Sequence, residues 1–271
     1  MKMKFDISLS PFDVSVADLV AAARVAEAEG FDGVWTYDHV SGVAAQRESV
    51  LDPWIVLSAI AGGTERIGLG PLVLNATARH PAHIAVAAAT LQELSGGRLT
   101  LGMGAGAGAD RYGTELAMVG IPRWTAAERR DRTEEAVGVV RALWRGKPFL
   151  EGSHHRLVEA AGFRRPDPEP QIVIGANGPK MAALAGRVAD AVNFHWFEDD
   201  LEGLAAIARR TSGRHDFAVT VEAPLDHEWL AGDGRARLER LAVSRVMYQW
   251  NAAIGTSAIV EAAAVLRSQD R

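Results

Sequence analysis

The sequence predicts an α/β protein, a (β/α)8 TIM barrel, and three observations carry that prediction. Short β-rich runs alternate with longer amphipathic segments, the pattern of parallel strands joined by helical crossovers. Eight such runs fall within 271 residues, which is the arithmetic of a closed barrel, whereas a doubly wound sheet of this length normally has fewer strands. No Pro-, Gly- or Ser-rich linker divides the chain and no repeat appears beyond the β/α alternation. One domain over residues 1–271 is therefore expected, with an insertion at about 105–170.

The elements follow in order. Phe5 to Leu9 is the first strand. Ser15 opens a helix, with Asp18 three residues on to complete a capping box, Val16, Leu19, Val20 and Ala23 at helical spacing, and Gly30 as the stop. The second strand is Gly33 to Tyr37, followed by a helix from Pro53 to about Ala61. Ile67 to Leu74 is the third strand, and its helix runs from Pro81 to Leu94, closed by Ser95-Gly96-Gly97. Leu99 to Met103 is the fourth. Between Gly104 and Pro170 the pattern loosens: one helix runs from a Thr125/Glu128 capping box to Trp144, and a hairpin or irregular excursion is expected around Phe149 to Leu157. Gln171 to Gly175, Ala191 to His195, Phe217 to Val221 and Arg245 to Tyr248 complete the count.

Composition excludes several function classes. Hydrophobic residues at 48% and charged residues at 23% are ordinary for a globular protein, so the chain should fold. Twenty-nine basic against 34 acidic side chains give a net charge of −5 and no positive field for phosphate backbones, so no nucleic-acid partner is expected. No run approaches the roughly 18 apolar residues of a membrane span, and a cytoplasmic protein without a membrane partner is expected. The absence of cysteine removes disulfides, thiolate zinc sites, iron–sulfur clusters and thiol nucleophiles.

Catalytic residues of a TIM barrel stand at the C-terminal strand ends. Here these are Ser8 and Ser10, Asp38 and His39, Asn75, the run Gly102 to Gly108, the run Gly175-Ala176-Asn177-Gly178-Pro179-Lys180, Asn193 and His195, Glu222, and Gln249 or Asn251. In the Gly175 run, glycines allow close backbone approach, Pro179 suits a first helical position, and the next helix aims free N–H groups at whatever lies above. That is an anion site, or else an ordinary tight turn. Gly102, Gly104 and Ala107 imitate a dinucleotide fingerprint, but a true one belongs to the first βα turn of its domain, with an acid ending the next strand. These glycines read instead as clearing room for a flat ring. Asp38-His39 is the one acid and base pair on a strand end, and His moves protons near neutral pH; a structural role is the alternative. His80 and His83 share helical spacing but lack a third ligand, so capping explains His80 better than a metal, and no metal site is expected. His154-His155 is expected at the surface.

Together these residues resemble the bacterial luciferase-like superfamily, especially its deazaflavin-dependent oxidoreductases. The resemblance rests on Gly30-Phe31-Asp32-Gly33-Val34-Trp35 leading to Asp38-His39, on Asp52-Pro53-Trp54, Arg66 to Gly70, Arg79-His80-Pro81-Ala82 and Leu94 to Leu99. Leu101 to Gly106, Tyr112, Gly120-Ile121-Pro122, Arg141 to Trp144 and Ile174 to Pro179 extend it over roughly residues 5 to 200. It implies an oxidoreductase that binds coenzyme F420, or alternatively FMN, in the barrel mouth and transfers hydride to or from a small organic substrate. A flavin monooxygenase and a non-catalytic cofactor-binding protein are the alternatives. The ring would contact Asp38, Asn75, Ala105 and Gly106, the phosphate would lie near Gly175, Ala176, Asn177, Gly178 and His195, and His39 would act as acid or base. The resemblance further implies a non-proline cis peptide, placed by spacing between Pro71 and Leu72, and a homodimer through the helices after the early strands, Ala82 to Leu91 being rich in Ala, Val and Ile with little charge. Many relatives carry Trp or Glu where this chain has Ala107, and the long luciferase insertion is missing from the C-terminal third.

Overall fold

The computed structural model describes residues 3–106, 114–147, 151–157, 161–226 and 232–269. Its strands are β1 (Lys4–Leu9), β2 (Gly33–Thr36), β3 (Gly68–Pro71), β4 (Leu74–Asn75), β5 (Thr100–Gly104), β6 (Gln171–Gly175), β7 (Ala191–His195), β8 (Ala218–Pro224) and β9 (Arg245–Trp250). All pair in parallel, in the order β3-β2-β1-β9-β8-β7-β6-β5-β4. β3 and β4 are two parts of the expected third strand: β3 pairs with β2, β4 pairs with β5, and a parallel bridge from Leu69 to Leu99 closes the ring. Nine segments thus occupy eight barrel positions. The predicted continuous strand breaks at Leu72 and Val73, and the cis peptide is the Leu72–Val73 bond, one bond beyond the position expected from spacing.

Helices α1 (Val16–Glu29), α2 (Pro53–Gly63), α3 (Pro81–Leu94), α4 (Thr114–Met118), α5 (Ala126–Trp144), α6 (Pro179–Val188), α7 (Leu201–Ser212), α8 (Asp233–Arg240) and α9 (Ser257–Gln269) are found among the described residues. Their starts follow from capping chemistry. The Thr125 hydroxyl accepts from Glu128 N at 3.2 Å while the Glu128 carboxylate accepts from Thr125 N at 2.7 Å, so both ends of the box are made. At α1 only half is made: Ser15 Oγ accepts from Asp18 N at 3.1 Å and its hydroxyl donates to the Asp18 carboxylate at 2.7 Å. Asp52 caps α2 ahead of Pro53, and His80 caps α3 ahead of Pro81, its Nδ1 accepting from Ala82 N at 3.2 Å. His80 is thus the cap of α3.

Two cores position the mouth. The larger fills the layer between sheet and helices, and includes Ile7, Leu9, Val34, Leu101, Ile174, Val192 and Phe194 against helical residues such as Leu57, Ile84 and Val140. The smaller lies inside the barrel: Trp35, Leu72, Val173, Ala191 and Met247, with Tyr37, Val73 and Ala218 packed on it. Below it, the buried Asp6 carboxylate accepts from the Trp35 indole at 2.6 Å and pairs with Arg245. α3 buries Ile84, Ala85, Ala88, Ala89 and Leu91 and leaves Val86 and Leu94 exposed, so the barrel does not cover all of its apolar surface.

The excursion after α5 also differs from expectation. Phe149 lies outside the described residues, and residues 151–157 form no strand. They are tied to α5 by the Glu135 carboxylate, which accepts from the amides of Ser153, His154 and His155 at 2.6–3.0 Å. His155 is correspondingly not a surface residue. Its side chain is 9% exposed, with Nδ1 3.4 Å from Glu135 Oε2, and burial pushes its pKa below the ordinary histidine value despite that carboxylate.

Candidate active site

The period of two along each strand decides which side chains enter the mouth. Trp35, Ala191, Ala218 and Met247 belong to or pack on the inner core, so Tyr37, Asn193 and His195, Thr220 and Glu222, and Gln249 follow them inward at higher levels. Tyr37 spans the lumen from the end of β2 and donates its hydroxyl proton to Glu222 Oε1 on β8 at 2.6 Å. The other carboxylate oxygen, Oε2, lies 3.1 Å from His195 Nδ1 on β7, off the axis of a straight hydrogen bond. The Glu222 side chain is 4% exposed and that of His195 33%. Contact with Glu222 raises the His195 pKa above the ordinary histidine value, with burial opposing and the Glu198 charge assisting. The imidazole also stacks on Phe197, centroids 5.0 Å apart and planes 6° from parallel.

A second histidine–carboxylate pair stands on the opposite side. His39 Nδ1 is 3.0 Å from Glu115 Oε1, and Glu115 Oε2 accepts from Val40 N at 3.3 Å. The short helix α4 supplies Glu115, whose side chain is 6% exposed against 18% for His39. One carboxylate thereby fixes both the imidazole and the backbone beside it, and Phe12 packs on the ring at 5.2 Å.

Asp38 is engaged differently from what a ring-binding acid alone would need. Its carboxylate accepts from Arg79 Nε at 2.9 Å, Arg79 Nη2 at 2.7 Å and Asn75 N at 2.9 Å, and Arg79 Nη2 reaches Asp52 at 2.9 Å. Burial works against the Arg79 charge, but the two carboxylates outweigh it and raise the pKa of the guanidinium. Asp38 thus fastens the end of β2 to the end of β4. The Asn75 amide oxygen accepts from Thr77 N and Thr77 Oγ1 at 3.0 and 2.7 Å, and Gly106, at φ +64°, fits beneath that side chain, where a Cβ would stand 2.6 Å from Asn75 Nδ2.

The glycines of β5 have another purpose than the flat ring expected for them. A Cβ on Gly104 would come 2.6 Å from Val73 Cγ2, one on Gly175 2.9 Å from the same atom, and one on Gly102 would strike the Pro71 carbonyl. Their missing side chains admit Val73, which stands half-buried above the inner core. At the end of β6, Ala176 is buried and its amide donates to Asn193 O at 2.9 Å. Gly178, at φ +142°, starts α6 without a side-chain cap, and a Cβ there would meet nothing within 4 Å.

The strand ends therefore bring together Asp38, Asn75 and Gly106 on one side and His195 with the Gly175–Gly178 turn on the other. Ala105 stands between them, half-buried, while Ala107 and Tyr112 lie outside the described residues. The sequence placed Glu222 at a strand end without giving it a role, and it did not assign Tyr37 or Glu115 to the site. For Glu222 the signal was an inward polar residue two positions beyond another, Thr220; Glu115 left no signal, because α4 was not foreseen.

Comparison with known proteins places this geometry. Residues 3–253 match the family model described as luciferase-like monooxygenase. The chain is 38% identical over 178 residues to the F420-dependent glucose-6-phosphate dehydrogenase of Beutenbergia cavernae, a match covering 64% of this chain and 51% of that one. The chain thus spans about half the length of that relative. The enzyme of the same name from Kineococcus radiotolerans is 32% identical over 247 residues, covering 84% of this chain and 69% of its own. Among solved structures, an F420-dependent secondary alcohol dehydrogenase in complex with an F420–acetone adduct superposes with a TM-score of 0.81 at 20% identity, covering 98% of this chain and 100% of the other, a likeness of fold.

Proposed function

The chain belongs to the luciferase-like monooxygenase family, and from that premise we propose that it is an F420-dependent oxidoreductase acting on a small organic substrate. The observation that carries the choice of cofactor is that relatives 38% and 32% identical to this chain are named for F420 dependence. The residues fit such a group. The turn Gly175-Ala176-Asn177-Gly178 leads into an uncapped helix start with open space over Gly178, suited to a phosphate. The half-buried Val73, Asn75 and Ala105, with the exposed Gly106, offer backbone and an apolar prop for a flat ring.

When bound, F420 supplies a carbon that accepts or gives hydride. Everything else falls to the chain. Asp38 holds Arg79 and Asn75 so that the ring's seat keeps its shape, and His39 takes up or releases a proton, or stabilises charge, with its Nδ1 side fixed by Glu115. His39→Ala should lower kcat about 10²–10⁴-fold while leaving the F420 dissociation constant nearly unchanged. Fluorescence titration with F420, and with FMN as the competing ligand, tests the cofactor; turnover of alcohols and carbonyl compounds by both proteins tests His39. A normal kcat in the variant ends the acid–base reading, and tighter binding of FMN than of F420 ends the cofactor reading.

The same proposal includes self-association through α2 and α3, where Ile55 and Val86 stand exposed. A dimer of twice 29.0 kDa by light scattering is the expected particle. Among the described residues no helix is long and apolar enough to cross a membrane, and a cytoplasmic location is part of the proposal.

A further inference from the structure

His39 and Glu115 lie on the β2 side of the mouth, and the Tyr37–Glu222–His195 chain reaches the β7 side, half a turn of the barrel away. Nothing in the reading above uses it. Such a chain is costly to build: Glu222 is a carboxylate almost without solvent, made tolerable by a phenol on one oxygen and an imidazole on the other. The imidazole is oriented. Its Nδ1 is buried toward Glu222 and Phe197 stacks on one ring face, while a third of the side chain remains accessible, and Nε2 lies across the ring from the Glu222 side.

The loops around this histidine share a charge pattern. Among the described residues, 196–200, 225–226 and 251–256, which follow β7, β8 and β9, contain no lysine or arginine, while Glu198, Asp199, Asp200 and Asp226 stand among them. Among the described residues, the ionisable groups facing the His195 ring are Glu222 from β8, Tyr37 from β2 through that carboxylate, and Glu198 from its own loop. An imidazole set between two carboxylates can donate a hydrogen bond but offers a dianion no net attraction.

We propose that His195, anchored by Glu222 and Tyr37, is the site that receives the oxygen of a neutral carbonyl or alcohol substrate, and that this side of the mouth disfavours phosphate esters. The site names the substrate class for the F420 reading and rests on it. His195 is then moved from the cofactor's phosphate to the substrate's oxygen, with Nε2–H as donor and Glu222 as the positioning residue.

The test uses the full chain with 15N-labelled histidine, with and without F420, and the His195 signal assigned by its loss in His195→Asn. In a pH titration the His195 midpoint should lie above the ordinary histidine value and fall in Glu222→Gln; a midpoint at the ordinary histidine value, or one indifferent to Glu222→Gln, overturns the anchor. Acetone, small enough for any pocket shape, should shift the His195 signal saturably, and glucose 6-phosphate should not. A response to glucose 6-phosphate at tenfold lower concentration than to acetone, or no saturable response to acetone, overturns the site. Failure of F420 to bind counts against the cofactor reading alone, because the cofactor-free arm still reports on His195.

Discussion

Replacing Asp38 by alanine removes a carboxylate that is 3% exposed and accepts three hydrogen bonds of 2.7–2.9 Å, two of them from Arg79 and one from Asn75 N. Breaking a buried pair by removing one partner costs about 3–5 kcal/mol, mostly because the other charge is left uncompensated. Arg79 is 25% exposed and keeps Asp52, which places the expected loss near the lower end, about 3 kcal/mol. For a chain of this size that corresponds to a fall in Tm of roughly 6–12 °C. Urea unfolding and thermal melts of Asp38→Ala, Arg79→Ala and the double variant measure it, and the double variant should lose less than the sum of the singles. F420 affinity, read on the same preparations, separates scaffold from ligand group. A loss of under about 1 kcal/mol, well below the range for a broken buried pair, together with a large drop in affinity would refute the reasoning, since Asp38 would then act on the cofactor rather than on Arg79 and Asn75.

Three further outcomes follow from the geometry. Gly104→Val forces side-chain atoms into the space of Val73, 2.6 Å from the position of its Cβ, and overpacking of this kind costs about 1–3 kcal/mol; unchanged stability in urea would mean that Val73 moves aside freely. Gly178→Asp puts a carboxylate where the phosphate is proposed and, with no neighbour within 4 Å, meets only its own backbone at φ +142°; F420 affinity should fall at least about tenfold, given that 1.4 kcal/mol is one decade, and undiminished affinity in a folded variant removes the phosphate from this turn. Glu27 accepts from the amides of Glu65, Arg66 and Ile67, and although burial opposes its charge, these bonds hold its pKa below the usual glutamate value. Its stabilisation is therefore present above the ordinary glutamate pKa and is lost as pH falls through the lowered folded value. Glu27→Gln should lower stability at pH 7 and flatten the acid limb of the pH–stability curve, and parallel curves for the two proteins would count against it.

How much of this was legible in the sequence depends on how far apart the partners lie. Helix starts are written locally: Thr125 with Glu128, Asp52 with Pro53 and His80 with Pro81 each act within three residues, and each is found where spacing puts it. The β6 and β7 boundaries likewise coincide with their β-rich runs. The third strand reads as one continuous apolar run because residue type says nothing about Leu72 and Val73 leaving the ladder. The β5 glycines mislead for a related reason. Glycine reports that something approaches closely, not what, and the approaching group is Val73, which meets both Gly104 and Gly175 although they are 71 positions apart in the chain.

The same distance separates residue type from role inside the mouth. Asp38, His39, Glu222 and His195 all stand at strand ends, where a barrel keeps its chemistry, yet their tasks are set by partners contributed from other strands and helices. Asp38 meets Arg79 across 41 positions and becomes a fastening; His39 meets Glu115 across 76 and becomes an oriented imidazole; Tyr37 meets Glu222 across 185. The first interaction engages a carboxylate that the resemblance assigns to the ring, and what it fastens is the end of β2 to the end of β4. The other two leave an imidazole edge on each side of one mouth, each backed by a carboxylate that is nearly buried. Two such edges suit a reaction in which hydride and proton leave or enter different atoms, because each proton-handling group then needs its own fixed direction. Loss of Glu115 should consequently lower kcat before it affects cofactor binding, and a Glu115→Gln variant with an unaltered kcat but weakened F420 binding would show that the β2 pair serves the cofactor's seat and not its chemistry.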